Sequence, residues 1–219
     1  MSARPSPPPV QPSSNGKPTT MPRRRPAAIV IGASAGGIEA LNVLLPQLPA
    51  DFAPPVIVVM HLRPDTPSLL PEVFGERCAL PVREAEDKMP VLPRHIYTAP
   101  SDYHLLVERD GLIGPGEGAS FSLSVEPPVR YSRPSIDVLF ESAAVAWRDG
   151  VLGILLSGAN DDGARGLHAI RAGGGMTWVQ SPASAAVATM PEHAIARGAA
   201  DRILPLADIG EALRREFSE

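Results

Sequence analysis

The stretch AAIVIGASAGGIEA, residues 27–40, joins an apolar run to a glycine-rich turn that carries one serine, Ser34. Residues 27–31 form a short, continuous apolar segment of the kind found in buried strands. Residues 38–45 place apolar side chains at helical spacing. The stretch therefore predicts a strand, a tight turn and a helix, and residues 32–36 match the pattern G-x-S-x-G.

A serine in such a turn is well placed for chemistry. Glycines on either side allow a sharp turn that exposes the hydroxyl at the end of the strand. Backbone N–H groups at the start of the following helix can hold a negatively charged oxygen. The alternative is a small-residue turn whose serine only caps the helix. Residues elsewhere in the chain must decide between these two interpretations.

The composition predicts one soluble domain behind a disordered tail. The chain has 219 residues, of which 44% are hydrophobic and few are aromatic; this is enough for one sizeable core. Residues 1–26 contain clustered prolines and no acidic residue, so we expect a disordered, proline-rich tail. The three arginines at the end of this tail, residues 23–25, are interpreted as a solvated boundary between tail and domain and not as a contact with an acidic surface. Residues 27–219 are expected to form the domain.

Charge and cysteine content exclude several classes of protein. The net charge of −4, with scattered acidic residues, provides no basic surface for nucleic acid. The single cysteine, Cys78, rules out an internal disulfide framework and has no metal-ligand spacing around it, so we expect a cytoplasmic protein without metal or cofactor. No apolar run approaches the roughly 20 residues of a membrane helix, so membrane insertion is not expected.

Two further strands end in residues that can carry chemistry. Residues 56–60 are a β-branched run followed directly by His61, and residues 151–156 are an apolar run followed shortly by Asp161 and Asp162. Parallel strands joined by crossover helices have their carboxyl ends on the same edge of a sheet. Ser34, His61 and one of the two aspartates should therefore meet there, while the other aspartate caps the next helix.

The remaining pattern predicts an α/β fold: a three-layer, doubly wound, mostly parallel sheet with flanking helices and a small β-hairpin. Short apolar pieces around Val82, 96–98 and 105–107 suggest short strands and a hairpin beside the main sheet, with turns at 110–111 and 114–118. Ser135 is expected to cap a helix. His95 and His104 are interpreted as packing or surface residues. Further helices are predicted at 67–74, 164–172, 190–196 and 209–217, and further strands at 176–179 and 202–204.

A serine, a histidine and an aspartate at one sheet edge favour nucleophilic catalysis. Serine needs an adjacent imidazole to remove its proton, and the imidazole needs a carboxylate to fix its tautomer. The chain order Ser, His, Asp differs from the Ser, Asp, His order of α/β-hydrolases, which disfavours that superfamily. A dinucleotide-binding loop is also disfavoured, because Ser34 stands where G-x-G-x-x-G requires glycine.

Six motifs stand out along the chain from about residue 28 to the C-terminus: IGASAGG at 31–37, VMH at 59–61, EAED at 84–87, YTAP at 97–100, RPSIDVLF at 133–140 and LSGANDDGA at 156–164. In these motifs the sequence resembles the catalytic domain of the chemotaxis receptor methylesterases, the CheB type. The resemblance implies Ser34 as nucleophile, His61 as general base and Asp162, rather than Asp161, as the supporting carboxylate.

The resemblance implies hydrolysis of glutamate methyl esters on chemotaxis receptors, and a related deamidation of receptor glutamines. Backbone groups of Ala35, Gly36 and Ala159 are the expected oxyanion and substrate contacts, although the family commonly has Thr and Met at positions 35 and 159. Relatives commonly carry a receiver domain before the esterase, so regulation here is expected from a separate response regulator or a receptor methyltransferase. The alternative is a catalytically silent chemosensory binding module.

Overall fold

The computed structural model describes residues 25–61, 68–109 and 118–218. The predicted tail is therefore almost wholly outside the described residues, as are the predicted turn at 110–111 and most of the one at 114–118. The strands are β1 Ala28–Ala33, β2 Val56–Met60, β3 Val82–Glu84, β4 Ile96–Thr98, β5 His104–Arg109, β6 Ala119–Ser124, β7 Val151–Leu155, β8 Met176–Gln180 and β9 Arg202–Leu204. The helices are α1 Gly37–Leu44, α2 Leu70–Gly75, α3 Ile136–Trp147, α4 Ala164–Ala172, α5 Thr189–Ala196 and α6 Leu206–Phe217.

Seven strands form a parallel sheet in the order β3-β4-β2-β1-β7-β8-β9. The chain moves from β1 outward through β2 and then returns to β7 on the other side of β1. The direction of winding therefore changes next to β1, and ligand sites in open α/β sheets form outside the carboxyl ends of the strands at such a point. The predicted doubly wound, mostly parallel sheet is confirmed.

Helices cover both faces of the sheet and make three layers. Side chains of β1 alternate between two cores, because successive residues of a strand point to opposite faces. Ile29 and Ile31 pack in the core that contains α1, α2 and α6. Val30 packs in the core that contains α3, α4, α5 and the β5–β6 hairpin. Both faces of the central strands are thus buried, as their continuous apolar sequences indicate.

The region between β2 and α3 differs in detail from its prediction. The short strands β3 and β4 extend the edge of the main sheet, with Ile96 paired to both Val56 and Val82. The antiparallel pair β5–β6 forms the separate hairpin, which packs against α3 through the Val107 N–H and the Ser142 hydroxyl, 3.1 Å apart. All three residues of β4 are buried, as in a strand inside a sheet, but a run of three residues is too short for the sequence to show which strand it pairs with.

None of the described helices is long and apolar enough to cross a bilayer.

Candidate active site

Ser34 lies in the turn between β1 and α1, and two glycines explain the shape of that turn. Gly36 has φ of +75°, and a Cβ there would lie 2.6 Å from the Ala186 Cβ, so only glycine fits. A Cβ on Gly32 would lie 2.3 Å from Ile136 Cγ2, so glycine lets the start of α3 approach the end of β1. The motif therefore both bends the chain at Ser34 and admits a neighbouring helix N-terminus.

His61 is brought beside Ser34 by the strand register. Ala33 pairs with Met60, so the residues that follow them leave the sheet side by side. The His61 N–H donates to the Ala33 carbonyl at 3.2 Å, which fixes the backbone at this point. The Ser34 hydroxyl and His61 Nδ1 are 3.0 Å apart. The imidazole is thus within reach of the serine proton.

Asp162 contacts the other ring nitrogen of His61. The Nε2–H donates to Asp162 Oδ2 at 2.8 Å, and the exposed fractions of the two side chains are 12% and 0%. An ionised carboxylate only accepts hydrogen bonds, so Nε2 carries the proton and Nδ1 is left as the acceptor for the serine hydroxyl. The ring nitrogen that faces the serine is therefore Nδ1, whereas in the serine protease arrangement it is Nε2.

The N-terminus of α3 holds the carboxylate of Asp162. The N–H groups of Ile136 and Asp137 donate to it at 2.7 and 3.0 Å, and the Ser135 hydroxyl donates at 2.9 Å. Burial alone would raise the pKa of Asp162, but the hydrogen bonds from His61, Asp137 and Ile136, together with the attraction of the His61 ring, lower it. The carboxylate consequently stays charged although it has no contact with solvent.

The Asp137 side chain caps α4, the helix that follows Asp162. Its Oδ1 accepts the N–H groups of Gly163 and Gly166, at 2.9 and 2.7 Å, at the start of α4. The two helices therefore exchange carboxylate caps: Asp162, just before α4, caps α3, and Asp137, in the first turn of α3, caps α4. Burial, together with repulsion by Asp162, raises the pKa of Asp137 despite the Gly166 N–H.

Two capping predictions are wrong for this reason. Ser135 is at the N-cap position of α3, but its side chain donates to Asp162 and makes no cap hydrogen bond. Asp161 was expected to cap α4; its carboxylate instead pairs with Arg130 at 2.8 Å on the partly exposed rim, and Asp137 supplies the cap. Local spacing favours a cap from the nearest polar residue, and here carboxylates from distant parts of the chain take that role.

The three predicted oxyanion contacts lie in two different parts of the structure. Ala35 is exposed and Gly36 half-buried, directly after Ser34, and no described residue accepts a hydrogen bond from either N–H. Ala159 lies on the exposed loop after β7, and no described contact joins it to Ser34 or His61. The N–H of neighbouring Gly158 is already bonded to Val187 O at 3.1 Å. The geometry thus favours the N–H groups of Ala35 and Gly36 as oxyanion donors.

Several residues that shape the site were not assigned to it from the sequence. Ser135, Asp137 and Ser157 are buried polar side chains that bond to it. All three lie within motifs that carry the family resemblance, but the residue pattern alone marks each only as a polar residue near a helix or strand end, which also fits an ordinary cap. His104 is a buried packing residue, as expected, and its hydrogen bonds point away from Ser34. Its Nδ1 accepts the Ser135 N–H and its Nε2–H donates to Pro127 O, each at 3.2 Å. Among the described residues, no three metal-ligating side chains converge.

Fold and site together define an α/β hydrolytic enzyme with a serine, histidine and aspartate at the switch point of a parallel sheet. The sequence profile described as CheB methylesterase matches residues 29–213. The solved structure of the Thermotoga maritima CheB methylesterase catalytic domain matches with a TM-score of 0.82 and 30% identity, over 88% of this chain and 99% of that one. The chain belongs to the CheB methylesterase family.

Individual relatives agree with this assignment. A protein of Leptospira interrogans named as a putative protein-glutamate methylesterase/protein-glutamine glutaminase is 41% identical, over 86% of this chain and 93% of its own length. Protein-glutamate methylesterase/protein-glutamine glutaminase 1 of Anaeromyxobacter dehalogenans is 42% identical, over 93% of this chain. The chain spans 58% of that second protein's length, and about half of several similar relatives.

Proposed function

We propose that this protein demethylates glutamate methyl esters on chemotaxis receptors, with Ser34 as nucleophile, His61 as general base and Asp162 as supporting carboxylate. The observation that carries the proposal is the continuous chain of hydrogen bonds from half-buried Ser34 through His61 to buried Asp162. A serine hydroxyl is a weak nucleophile until an adjacent base removes its proton. The names of relatives, protein-glutamate methylesterase/protein-glutamine glutaminase, supply the substrate class.

The reaction proceeds in two acyl-transfer steps. Ser34 Oγ attacks the ester carbonyl carbon and passes its proton to His61 Nδ1, while the N–H groups of Ala35 and Gly36 receive the charge on the carbonyl oxygen. Collapse breaks the bond to the methoxy group, and His61 returns the proton so that methanol leaves. Water then attacks the acyl-enzyme in the same way and releases the glutamate side chain. Receptor glutamine follows the same route, with ammonia as the leaving group.

The proposed location is the cytoplasm. Cys78 is a free, partly buried thiol, and burial raises its pKa, which favours the protonated form. A lone unpaired cysteine of this kind suits a reducing compartment. A separate response regulator or a receptor methyltransferase stays a predicted partner.

The test is methanol release from methylated receptor by the purified protein and by the Ser34→Ala variant. Ser142→Ala is the matched control, because that serine is part-buried, lies on α3 against the hairpin and belongs to no catalytic contact. We expect release by the wild type and by Ser142→Ala and loss in Ser34→Ala. Receptor binding without methanol release by the wild type would refute the proposal and favour a silent binding module.

A further inference from the structure

Ser157 is a buried serine at the end of β7 that has no part in the proton transfer. It is 1% exposed, and its carbonyl accepts the Ser34 N–H at 2.9 Å, so it lies directly beside the nucleophile. Its hydroxyl lies 2.7 Å from the Ala35 carbonyl and accepts the Val187 N–H at 2.9 Å. The Val187 carbonyl is farther, at 3.2 Å, and already receives the Gly158 N–H. The hydroxyl proton is therefore directed at Ala35.

This hydrogen bond fixes the orientation of a peptide unit beside Ser34. The N–H and C=O of a trans peptide point in opposite directions. Because the Ala35 carbonyl points inward to buried Ser157, the N–H of Gly36 in the same peptide points away from the core. The neighbouring peptide is fixed similarly, since the Ser34 carbonyl accepts the Gly37 N–H at 2.7 Å, which leaves the Ala35 N–H free.

The peptide before Gly36 needs such an anchor. Glycine has no Cβ and reaches positive and negative φ with similar ease, so the φ of +75° at Gly36 is not enforced by the residue itself. Without a partner for the Ala35 carbonyl, the peptide is free to rotate, and the Gly36 N–H then no longer points to one place. A hydrogen-bond donor stabilises a transition state only when it is already aimed at the developing charge.

We propose that Ser157 is a positioning residue for the oxyanion hole: its hydroxyl holds the Ala35–Gly36 peptide so that the Gly36 N–H faces the oxyanion formed when Ser34 attacks. The inference rests on the proposed function for the role of Ser34. The interaction strengthens as negative charge develops on the substrate oxygen, so its loss lowers kcat and leaves KM nearly unchanged.

The first test compares Ser157→Ala with Ser142→Ala. The Ser142 hydroxyl makes the same pair of bonds away from the site, donating to Leu139 O at 2.9 Å and accepting the Val107 N–H at 3.1 Å. Removing one oxyanion donor costs about 10²–10³ in kcat; loosening one should cost about ten- to a hundredfold. We expect that loss in Ser157→Ala, with KM within about twofold, and wild-type kcat in Ser142→Ala at a similar melting temperature.

The second test does not depend on the receptor. A fluorophosphonate probe reacts when Ser34 Oγ bonds to phosphorus, fluoride leaves and His61 Nδ1 takes the serine proton. The phosphoryl oxygen gains charge as the carbonyl oxygen does, so Ser157→Ala should slow labelling by a factor similar to its loss in kcat. Ser157→Thr keeps the hydroxyl and should restore both rates to within about threefold of the wild type.

Three results would overturn the inference: equal labelling and kcat in Ser157→Ala and Ser142→Ala, a rise in KM at constant kcat in Ser157→Ala, or a Ser157→Thr variant as slow as Ser157→Ala. If the wild type is labelled at Ser34 but releases no methanol from receptors, the proposed substrate is wrong. The labelling rates still decide the role of Ser157 in that case.

Discussion

Replacing Asp162 by asparagine should cost both activity and stability, since one side chain serves the imidazole and a helix. The change removes a charge and turns one acceptor oxygen into an –NH₂ donor. The Ile136 N–H donates to Oδ2 and the Asp137 N–H to Oδ1, so one of them faces the –NH₂ group whichever way the amide is turned. A buried N–H left without an acceptor costs about 1–3 kcal/mol of folding free energy.

The loss of activity follows from the contact with His61. If the –NH₂ group faces the ring, Nε2 must become the acceptor, and Nδ1 then carries a proton and cannot accept one from Ser34. If the amide oxygen faces the ring, the tautomer is kept, but the imidazolium formed during attack loses its ion pair. A carboxylate-to-amide change in a serine protease triad lowers kcat by about 10⁴-fold, and we expect a loss of that order.

The assay measures kcat by methanol release, and thermal unfolding across pH, for Asp162→Asn and Asp161→Asn. Asp161 pairs with Arg130 where both are partly exposed, so its loss should change stability by no more than about 1 kcal/mol and kcat by about twofold. Because the pKa of Asp162 is lowered, its stabilising effect is complete above about pH 4 and is lost as the pH falls further; the difference in stability from the wild type should shrink there. A kcat of Asp162→Asn within tenfold of the wild type, or equal losses at both positions with unchanged unfolding, would refute the reasoning.

Two further predictions follow from the same contacts. Ser34→Ala and His61→Ala should each lower kcat by about 10⁶-fold and the double variant hardly further, because the two act as one nucleophilic unit; a double variant far slower than either single one would contradict this. Asp137→Asn keeps an oxygen for the Gly163 and Gly166 N–H groups but removes a buried charge whose pKa is raised. Burial raises the pKa of Asp137, so its ionised form destabilises the folded protein, and the variant's melting temperature relative to the wild type should rise as the pH increases above about 4; a constant difference would contradict this.

The sequence predicted the sheet and the meeting of Ser34 with His61 well, because both rest on regular geometry. Apolar runs identify the buried strands, and parallel connection places the residues that follow β1 and β2 on one edge. The contacts around Asp162 could not be predicted in this way. They join α3 to the loop before α4 across about 25 residues, and a serine or aspartate at a helix start gives the same local signal whether it caps its own helix or a neighbouring one.

The exchange of caps also explains how a fully buried carboxylate remains a usable partner for His61. Isolated burial would favour the protonated form of Asp162, which would leave the ring without the negative charge that stabilises its cation. The N-terminus of α3 supplies backbone donors that need no side-chain entropy and are aimed before the reaction begins. Asp137 then satisfies the start of α4, the helix that directly follows the loop carrying Asp162. Catalytic geometry and the packing of α3 on α4 are therefore set by the same hydrogen bonds, so substitutions that loosen this helix pair should lower kcat before they unfold the protein.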